Sequence, residues 1–266
     1  MPGRYPERII CLTDEFTELL YAFGEEDRIV GISGYSVRPP EARKEKPIVT
    51  SFIRSRTEKI LSLKPDLVLG FSDMQGAMAR ELIEKGLAVY IFNQRSVQGI
   101  LDMILTVGSL IGEPGKALSM IESVTGAMDK VREEAKSFVR KPLVYFEEWD
   151  DPLITGVRWV SELIEIAGGL DCFTEFSKMP SAKDRILADS SIVIEKNPDI
   201  IIGSWCGKKF KPEKLCERPG WDKIKAVMTG DTHEIKSSVI LQPGLACLGD
   251  GLKSLSGIMK AWHDKL

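Results

Sequence analysis

Leu63-Lys-Pro-Asp-Leu-Val-Leu-Gly-Phe-Ser72 is echoed later in the chain by Lys196-Asn-Pro-Asp-Ile-Ile-Ile-Gly-Ser-Trp205. In both copies a helix-like stretch precedes the Pro-Asp pair, and a short apolar run that is typical of a buried strand follows it. A second pair of stretches also recurs, Glu18-Leu-Leu-Tyr-Ala-Phe-Gly24 and Glu162-Leu-Ile-Glu-Ile-Ala-Gly168. The recurrence predicts two lobes of related architecture, and two lobes create a cleft in which a ligand can bind.

Strand-like runs alternate with single helical segments on both sides of the chain's midpoint, which is typical of βαβ units with parallel sheets. Residues 35–56 are predicted to be a loop because Pro39, Pro40 and Pro47 interrupt the pattern. Residues 115–137 favour one long helix, interpreted as a strut between lobes. The sequence therefore predicts an α/β protein with two Rossmann-like lobes, residues 1–112 and 140–266, joined by a connecting helix in 113–139.

The composition is that of a globular protein, with 43% hydrophobic and 28% charged residues among 266. A net charge of −3 gives no electrostatic argument for nucleic acid binding. The five cysteines have no CxxC spacing and favour a reducing compartment over a disulfide framework. With only two histidines, a histidine-rich metal site is not expected, and Cys206 and Cys216 are interpreted as ordinary thiols.

Candidate ligand contacts lie where predicted strands end or helices begin, because ligands of such sheets meet the loops at the carboxyl ends of strands. Loop tryptophans need a cover, either protein or ligand, and several in one kind of position favour a lined cleft. The predicted contacts are Tyr35, Phe71, Asn93, Gln94, Glu148, Trp149, Arg158, Trp159, Trp205 and Gln242.

Two charged loops remain open to two interpretations. Residues 147–151 are acidic around Trp149, and residues 208–211 are basic. They are either two solvated loops that pair electrostatically, or groups that recognise the polar periphery of a ligand. Acid–base catalysis by Glu147 and Glu148 is not expected, because adjacent residues of a strand point to opposite sides. No nucleotide-binding or hydrolase motif is present, so the chain is predicted not to be an enzyme.

Four stretches, in order, carry a resemblance to a known family. They are Pro6-Glu-Arg-Ile-Ile-Cys-Leu-Thr13, Glu58-Lys-Ile-Leu-Ser-Leu-Lys-Pro-Asp-Leu-Val-Leu-Gly70, Glu162-Leu-Ile-Glu-Ile-Ala-Gly-Gly169 and the tail that starts at Leu241-Gln-Pro-Gly244. Nearly end to end, the chain resembles the substrate-binding proteins of ABC importers for vitamin B12 and iron-siderophores, the class III proteins with a helical backbone. Among its members, the chain resembles the cobalamin-binding proteins in particular.

The resemblance implies non-catalytic binding of a corrinoid or a ferric chelate, with no intrinsic cofactor. It also implies one surface glutamate in each lobe that docks on the membrane permease. Glu58 matches this position in the first lobe, whereas the second lobe has Ser191 there, with Asp189 nearby. The expectation is therefore weak or no binding to an ABC permease.

The N-terminus runs into an apolar stretch without the pattern of a secretory signal, which predicts a cytoplasmic protein. A periplasmic or cell-surface location is the alternative if the chain is a trimmed form. The alternative function is a cytosolic enzyme or chaperone that modifies or delivers a tetrapyrrole or metal cofactor.

Overall fold

The computed structural model describes residues 5–51 and 54–266, which form two compact units. The first unit comprises the chain through residue 94 together with residues 98–123. The second comprises residues 95–97 together with residues 124–266. Each unit is an α/β structure built on its own sheet, as the internal recurrence predicts.

The first unit is built on a six-stranded sheet in the order β4-β3-β2-β1-β5-β6, parallel except for the β3–β4 pair. Its elements, with the two helices that continue into the second unit, are β1 (Ile9–Cys11), α1 (Asp14–Ala22), β2 (Ile29–Ser33), α2 (Ala42–Glu45), β3 (Ile48–Ser51), β4 (Arg54–Ser55), α3 (Thr57–Ser62), β5 (Leu67–Phe71), α4 (Gly76–Glu84), β6 (Val89–Phe92), α5 (Val97–Leu110) and α6 (Pro114–Ala135). The central strands β1 and β5 are buried along their whole length, as expected for a sheet covered on both faces.

The second unit has a mixed sheet in the order β11-β10-β7-β8, and β9 also pairs with β7. Only the β7–β8 pair is antiparallel among its strands. Its elements are β7 (Leu143–Asp150), β8 (Leu153–Thr155), α7 (Arg158–Ile166), β9 (Leu170–Asp171), α8 (Thr174–Ser177), α9 (Ser191–Lys196), β10 (Ile200–Gly203), α10 (Glu213–Cys216), α11 (Lys225–Thr229), β11 (Thr232–Glu234), α12 (Ser237–Ile240) and α13 (Leu252–His263).

The recurrent Pro-Asp pair has the same physical role in both units. Asp66 precedes β5, and its carboxylate accepts the backbone N–H groups of Glu7 and Arg8, both at 2.9 Å, at the start of β1. Asp199 precedes β10 and accepts the N–H of Leu143, at 2.9 Å, at the start of β7. The residue before each proline, Lys64 or Asn197, has a φ of 48°. Each aspartate therefore fixes where the neighbouring strand begins, which explains why the motif occurs twice.

The predicted loop at residues 35–56 is wrong for part of its length. It contains α2 and the strands β3 and β4, while residues 52 and 53, like residues 1–4, lie outside the described residues. β3 is recognisable only through its partner: Ile32 pairs with Ile48, and Ser33 pairs with Thr50. A four-residue strand between charged and proline-rich segments has too short a pattern to be read from the sequence alone.

The long helix α6 runs over 22 residues and connects the two units. The boundary between the compact units falls inside it, after residue 123. The predicted lobe limits at residues 112 and 140 stay a prediction. None of the described helices combines the length and the hydrophobicity that a bilayer span requires.

Candidate functional site

The carboxyl edge of the second sheet, defined here as the end of β7 and the loops after β10 and β11, is organised by the fully buried Glu147. Arg218 donates to both carboxylate oxygens, at 2.6 and 2.9 Å. The indole N–H of Trp205 and the hydroxyl of Tyr145 donate at 3.0 and 3.1 Å. Burial, and then the carboxylate itself, raise the pKa of Tyr145 well above its ordinary value, so this hydroxyl remains a donor. The donors of these three side chains offset the cost of burying the Glu147 carboxylate.

Trp149 follows on the same strand and is half-buried against the core of the unit. Its indole N–H donates to the carbonyl oxygen of Asp151 at 2.8 Å, which fixes the ring. The Lys208 ammonium lies 4.2 Å from the centroid of Trp149 and 5.0 Å from that of Trp205. Lys208 also forms an ion pair with Asp150. The acidic and basic loops of the sequence therefore pair with each other, and an aromatic surface backs the pair.

Two of the predicted contacts, Trp159 and Trp205, are buried within the second unit. Trp159 is 4% exposed and donates its indole N–H to the carbonyl oxygen of Ile240 at 2.9 Å. Trp205 is 3% exposed and packs edge-on against Phe210 at 5.0 Å between centroids. Their own unit covers both rings, so they support the carboxyl edge from behind. Their direct contact with a ligand stays a prediction that this burial does not favour.

The charged candidates differ in how accessible their side chains are to a ligand. Glu148 is engaged by Arg185, whose two terminal nitrogens lie 2.6 and 3.0 Å from its carboxylate oxygens. Glu147 and Glu148 therefore have separate partners, as expected for adjacent strand residues, and neither is positioned beside the other for acid–base work. Arg158 begins α7 with a side chain that is 54% exposed, and its Nε donates to Glu162 at 2.8 Å. The structure leaves the outer end of Arg158 accessible, and Gln242 is half-buried.

A pocket of about 580 Å³ opens at this edge. It is lined by one aromatic residue, one glycine and six polar residues: Trp205, Gly207, Lys208, Lys209, Glu234, Lys236, Ser237 and Ser238. The loop that carries two of the lysines is anchored by Phe210. The N–H of Phe210 donates to Glu234 at 3.0 Å, and its ring lies so close to Gly203 that an added Cβ would come within 1.9 Å of it. Gly203 is therefore required for this packing.

The carboxyl edge of the first sheet, defined here as the loops after β1, β2, β5 and β6, holds the other four candidates. Tyr35 is 62% exposed, and its backbone N–H donates to the Ser33 hydroxyl at 3.2 Å. Asn93 is also exposed. Phe71 and Gln94 are 8% and 6% exposed. The structure therefore gives Tyr35 and Asn93 access to solvent, whereas Phe71 and Gln94 belong mainly to the interior.

Met74 is a surface residue of this edge that sequence reasoning misses. It is 62% exposed in a one-turn 3₁₀ helix directly after β5. The buried Gln75 holds this turn, because its side-chain oxygen accepts the N–H of Phe71 at 3.0 Å. A side chain at Gly70 would meet that oxygen at 2.6 Å. The turn at residues 70–75 thereby exposes the apolar side chain of Met74. This exposure depends on the close contact between Gly70 and Gln75.

Two carboxyl groups are buried at the start of α1, on the same edge. Asp14 and Glu15 are 3% and 1% exposed. Burial raises the pKa of Asp14 to about 7 and that of Glu15 to about 8. The Thr13 hydroxyl donates to Glu15 at 2.8 Å. These groups change charge near neutral pH and make the stability of the first unit pH-dependent.

The docking candidate Glu58 is exposed in the first turn of α3, the helix before β5. In the second unit, Asp189 is exposed directly before α9, the helix that precedes β10. The Ser191 N–H donates to Asp189 at 2.9 Å, and this bond lowers the pKa of the aspartate. Ser191, the residue that matches Glu58 by its place in the sequence, is uncharged, but an ionised carboxylate therefore lies two residues before it.

Metal ligation by the chain itself has no support in residues 5–51 and 54–266, where no group of three or more His, Cys, Asp or Glu side chains could hold an ion. Cys206 and Cys216 are free and exposed. The site consists of aromatic surface, fixed ion pairs and a lysine-lined pocket. Such a set suits recognition of a ligand by packing and charge, and it contains no evident nucleophile–base pair.

Comparison with known proteins gives the chain relatives over most of its length. It is 25% identical over 248 residues, 90% of this chain and 76% of the relative, to the uncharacterized ABC transporter substrate-binding lipoprotein YvrC of Bacillus subtilis. It is 30% identical over 204 residues, 74% of this chain and 70% of the relative, to a vitamin B12-binding protein of Vibrio cholerae serotype O1.

A solved structure from Staphylococcus epidermidis, of a possible iron-binding (periplasmic solute-binding) protein, matches with a TM-score of 0.83. The match is 24% identical and covers 96% of this chain and 99% of the other. At this identity the likeness shows the fold alone, and it supports the two-lobed α/β class with a long connecting helix.

These findings correct one prediction and confirm others. The cytoplasmic assignment is wrong, because the matched family is one of periplasmic proteins and YvrC is a lipoprotein. The prediction of a ligand-binding protein rather than an enzyme is confirmed, since the family consists of non-catalytic substrate-binding proteins of ABC transporters. The model of the family described as periplasmic binding protein matches residues 9–239, and the chain belongs to that family.

Proposed function

We propose that this substrate-binding protein carries a metal chelate with a broad apolar ring system, a corrinoid in the first place. The observation that carries the proposal is the half-buried Trp149 with the Lys208 ammonium 4.2 Å from its ring, next to a pocket with polar walls. A corrin presents an apolar, methyl-rich face and polar side chains at its rim, and this edge offers a partner for each. The 30% identity to a vitamin B12-binding protein also supports this choice.

The exposed candidates are assigned to contact, and the buried ones to support. Trp149 and Tyr35 supply aromatic surface, for which each ring contact is worth about 0.5–1.5 kcal/mol beyond its buried area. Arg158 and Asn93 supply polar contacts at the periphery, since their ends are accessible. Met74 adds a flexible apolar side chain of the kind that adapts to irregular ligand faces. The Glu147 network keeps the second-unit edge in place.

Titration of the purified protein with cyanocobalamin, hemin and a ferric siderophore, followed by absorbance and calorimetry, tests the proposal. Tyr35→Ala should weaken binding of the accepted chelate by about tenfold. The matched control is Tyr90→Ala, which removes another exposed tyrosine from the edge strand β6. Binding of none of the three chelates, or equal losses in the two variants, would contradict the proposal.

The partner that such a protein serves is an ABC permease, and we assign docking to Glu58 and Asp189. Both are exposed acids at the N-terminal end of the helix that precedes the recurrent strand: Glu58 lies in the first turn of α3, and Asp189 lies two residues before α9. Carboxylates bind arginine in a bidentate manner, which fixes orientation as well as affinity. This replaces the expectation of weak or no docking, which rested on the neutral Ser191.

The docking assignment is tested with the permease of the native host in lipid vesicles. Glu58→Lys and Asp189→Lys should each reduce stimulation of its ATPase activity and leave chelate affinity unchanged. Asp27→Lys and Asp222→Lys, which reverse exposed acids elsewhere in each unit, are the controls. Normal stimulation by the Glu58 and Asp189 variants would refute docking through these two residues.

A further inference from the structure

The charged residues of the second unit's pocket are three lysines and one glutamate. We infer that this pocket binds an anionic group of the ligand, a carboxylate or a phosphate, and so selects negatively charged chelates over neutral ones. The inference rests on the proposed function, because it assigns the charge of the ligand that is bound there. The observation that supports the inference is which of the three lysines already has a negatively charged partner.

Lys208 is already compensated, since it pairs with Asp150 and lies against two indole rings. Lys209 and Lys236 are exposed, and among the described residues neither has an ion-pair partner. They approach the pocket from different elements: Lys209 from the loop after β10 and Lys236 from the segment between β11 and α12. Two ammonium groups without an ion-pair partner at one pocket favour occupation by an anion, because a like-charge pair gains from a counter-charge between them.

The single acid of the pocket cancels only part of this charge, because Glu234 carries one negative charge against the two positive charges of Lys209 and Lys236. Glu234 accepts the backbone N–H of Phe210 at 3.0 Å, so one of its oxygens is engaged in holding the loop. Ser237 and Ser238 add hydroxyl donors to the lining. Ammonium and hydroxyl donors are the groups that hydrogen-bond carboxylate and phosphate oxygens most directly. A neutral amide would satisfy the hydroxyls but would leave the net positive charge of the pocket without a counter-charge.

The loop is also built to hold its position before a ligand arrives. Phe210 is 1% exposed, with its ring on Gly203 and its N–H on Glu234. Lys209 therefore projects from a segment that is fixed at its end, and ordering it costs little entropy when an anion binds. Lys211 and Lys214 are exposed nearby but, unlike Lys209, do not line the pocket.

Paired probes with the same ring and different charge test the inference. Hemin is compared with its dimethyl ester, and cyanocobalamin with its monocarboxylic acid derivative. The acid form of the accepted ring should bind about tenfold tighter than the neutral form, and this advantage should shrink between about 0.05 and about 0.5 M NaCl. In Lys209→Ala/Lys236→Ala the advantage should vanish, whereas Lys211→Ala/Lys214→Ala should retain it.

The outcomes separate the two proposals. Binding of both forms with equal affinity, or an advantage that survives in Lys209→Ala/Lys236→Ala, overturns the inference and leaves the proposed function intact. Binding of neither pair refutes the proposed function. In that case titration with inorganic phosphate, followed by tryptophan fluorescence because Trp205 lines the pocket, decides the inference alone. Saturable phosphate binding that is lost in the Lys209→Ala/Lys236→Ala variant supports an anion pocket, and no binding overturns it.

Discussion

Removal of Arg218 should cost the second unit a large part of its stability. In Arg218→Ala the fully buried Glu147 carboxylate loses its two shortest contacts, of 2.6 and 2.9 Å, and retains only the neutral donors Trp205 and Tyr145. Breaking a buried ion pair from one side typically costs about 3–5 kcal/mol. The Arg218 guanidinium also lies 4.3 Å from the centroid of Trp221, a contact worth about 0.5–2 kcal/mol. Against a total of about 5–15 kcal/mol for a domain, this loss is severe.

Urea unfolding followed by circular dichroism measures the effect, and the midpoint should fall by about 1–3 M. Arg132→Ala is the control, because it removes an exposed pair with Asp129 of the same 2.6 Å length and should cost less than about 1 kcal/mol. The double variant Glu147→Gln/Arg218→Met should recover at least half of the loss, since no charge stays buried. A loss below about 1 kcal/mol in Arg218→Ala, or no recovery in the double variant, would refute the reasoning.

Three further changes probe other parts of the chain. Glu15→Gln should raise the melting temperature at pH 8 and leave it nearly unchanged at pH 4. Burial raises the pKa of Glu15 from 4.5 to about 8, so the folded chain holds this proton more tightly than the unfolded chain does. The wild-type protein therefore loses stability as the pH rises from about 4.5 to about 8, whereas the glutamine variant does not. Gly203→Ala should cost about 1–3 kcal/mol in thermal unfolding, because the new Cβ would meet the Phe210 ring at 1.9 Å. Ala127→Pro, at an exposed interior position of α6, should cost about 3 kcal/mol or more in urea unfolding.

Each of these has a result that would count against it. A constant difference between Glu15→Gln and the wild type from pH 4 to pH 8 would mean that Glu15 titrates normally. Gly203→Ala should be less harmful when combined with Phe210→Ala than the sum of the two single changes, and simple additivity would exclude the proposed clash. Ala127→Gly should cost only about 1 kcal/mol, and a cost equal to that of proline would point away from a broken helix.

The fold was largely predictable because its signals are local. The apolar runs at Leu67–Phe71 and Ile200–Gly203 are short, buried and followed by polar loops, and they are strands β5 and β10 in the structure. The helical sequence pattern at residues 115–137 corresponds to α6. β3 was not predicted, because its four residues are too few to show a strand pattern and form a strand only by pairing with β2.

The site was less predictable, because sequence position does not give side-chain direction. Trp149, Trp159 and Trp205 all occupy strand ends or a helix start, yet Trp159 and Trp205 are buried and Trp149 is only half-buried. The grouping of Lys209 with Lys236 depends on the β10–β11 pairing, which brings together loops that are separate in the chain. Asp189 is visible in the sequence as an acid near Ser191, but the hydrogen bond from the Ser191 N–H, which lowers the pKa of Asp189, is known only from the structure.

The anchoring of the loop after β10 has an evolutionary consequence. Phe210 closes this loop on Gly203 and Glu234, and the Glu147 network holds Trp205 at its other end, so residues 206–209 lie between two fixed points. Substitutions within those four positions can alter the charge and shape presented to a cargo while the sheet beneath stays the same. Descendants of one ancestral scaffold can therefore diverge in cargo preference through a single short exchangeable segment, and transplanting it between homologues should transfer the preference with little change in melting temperature.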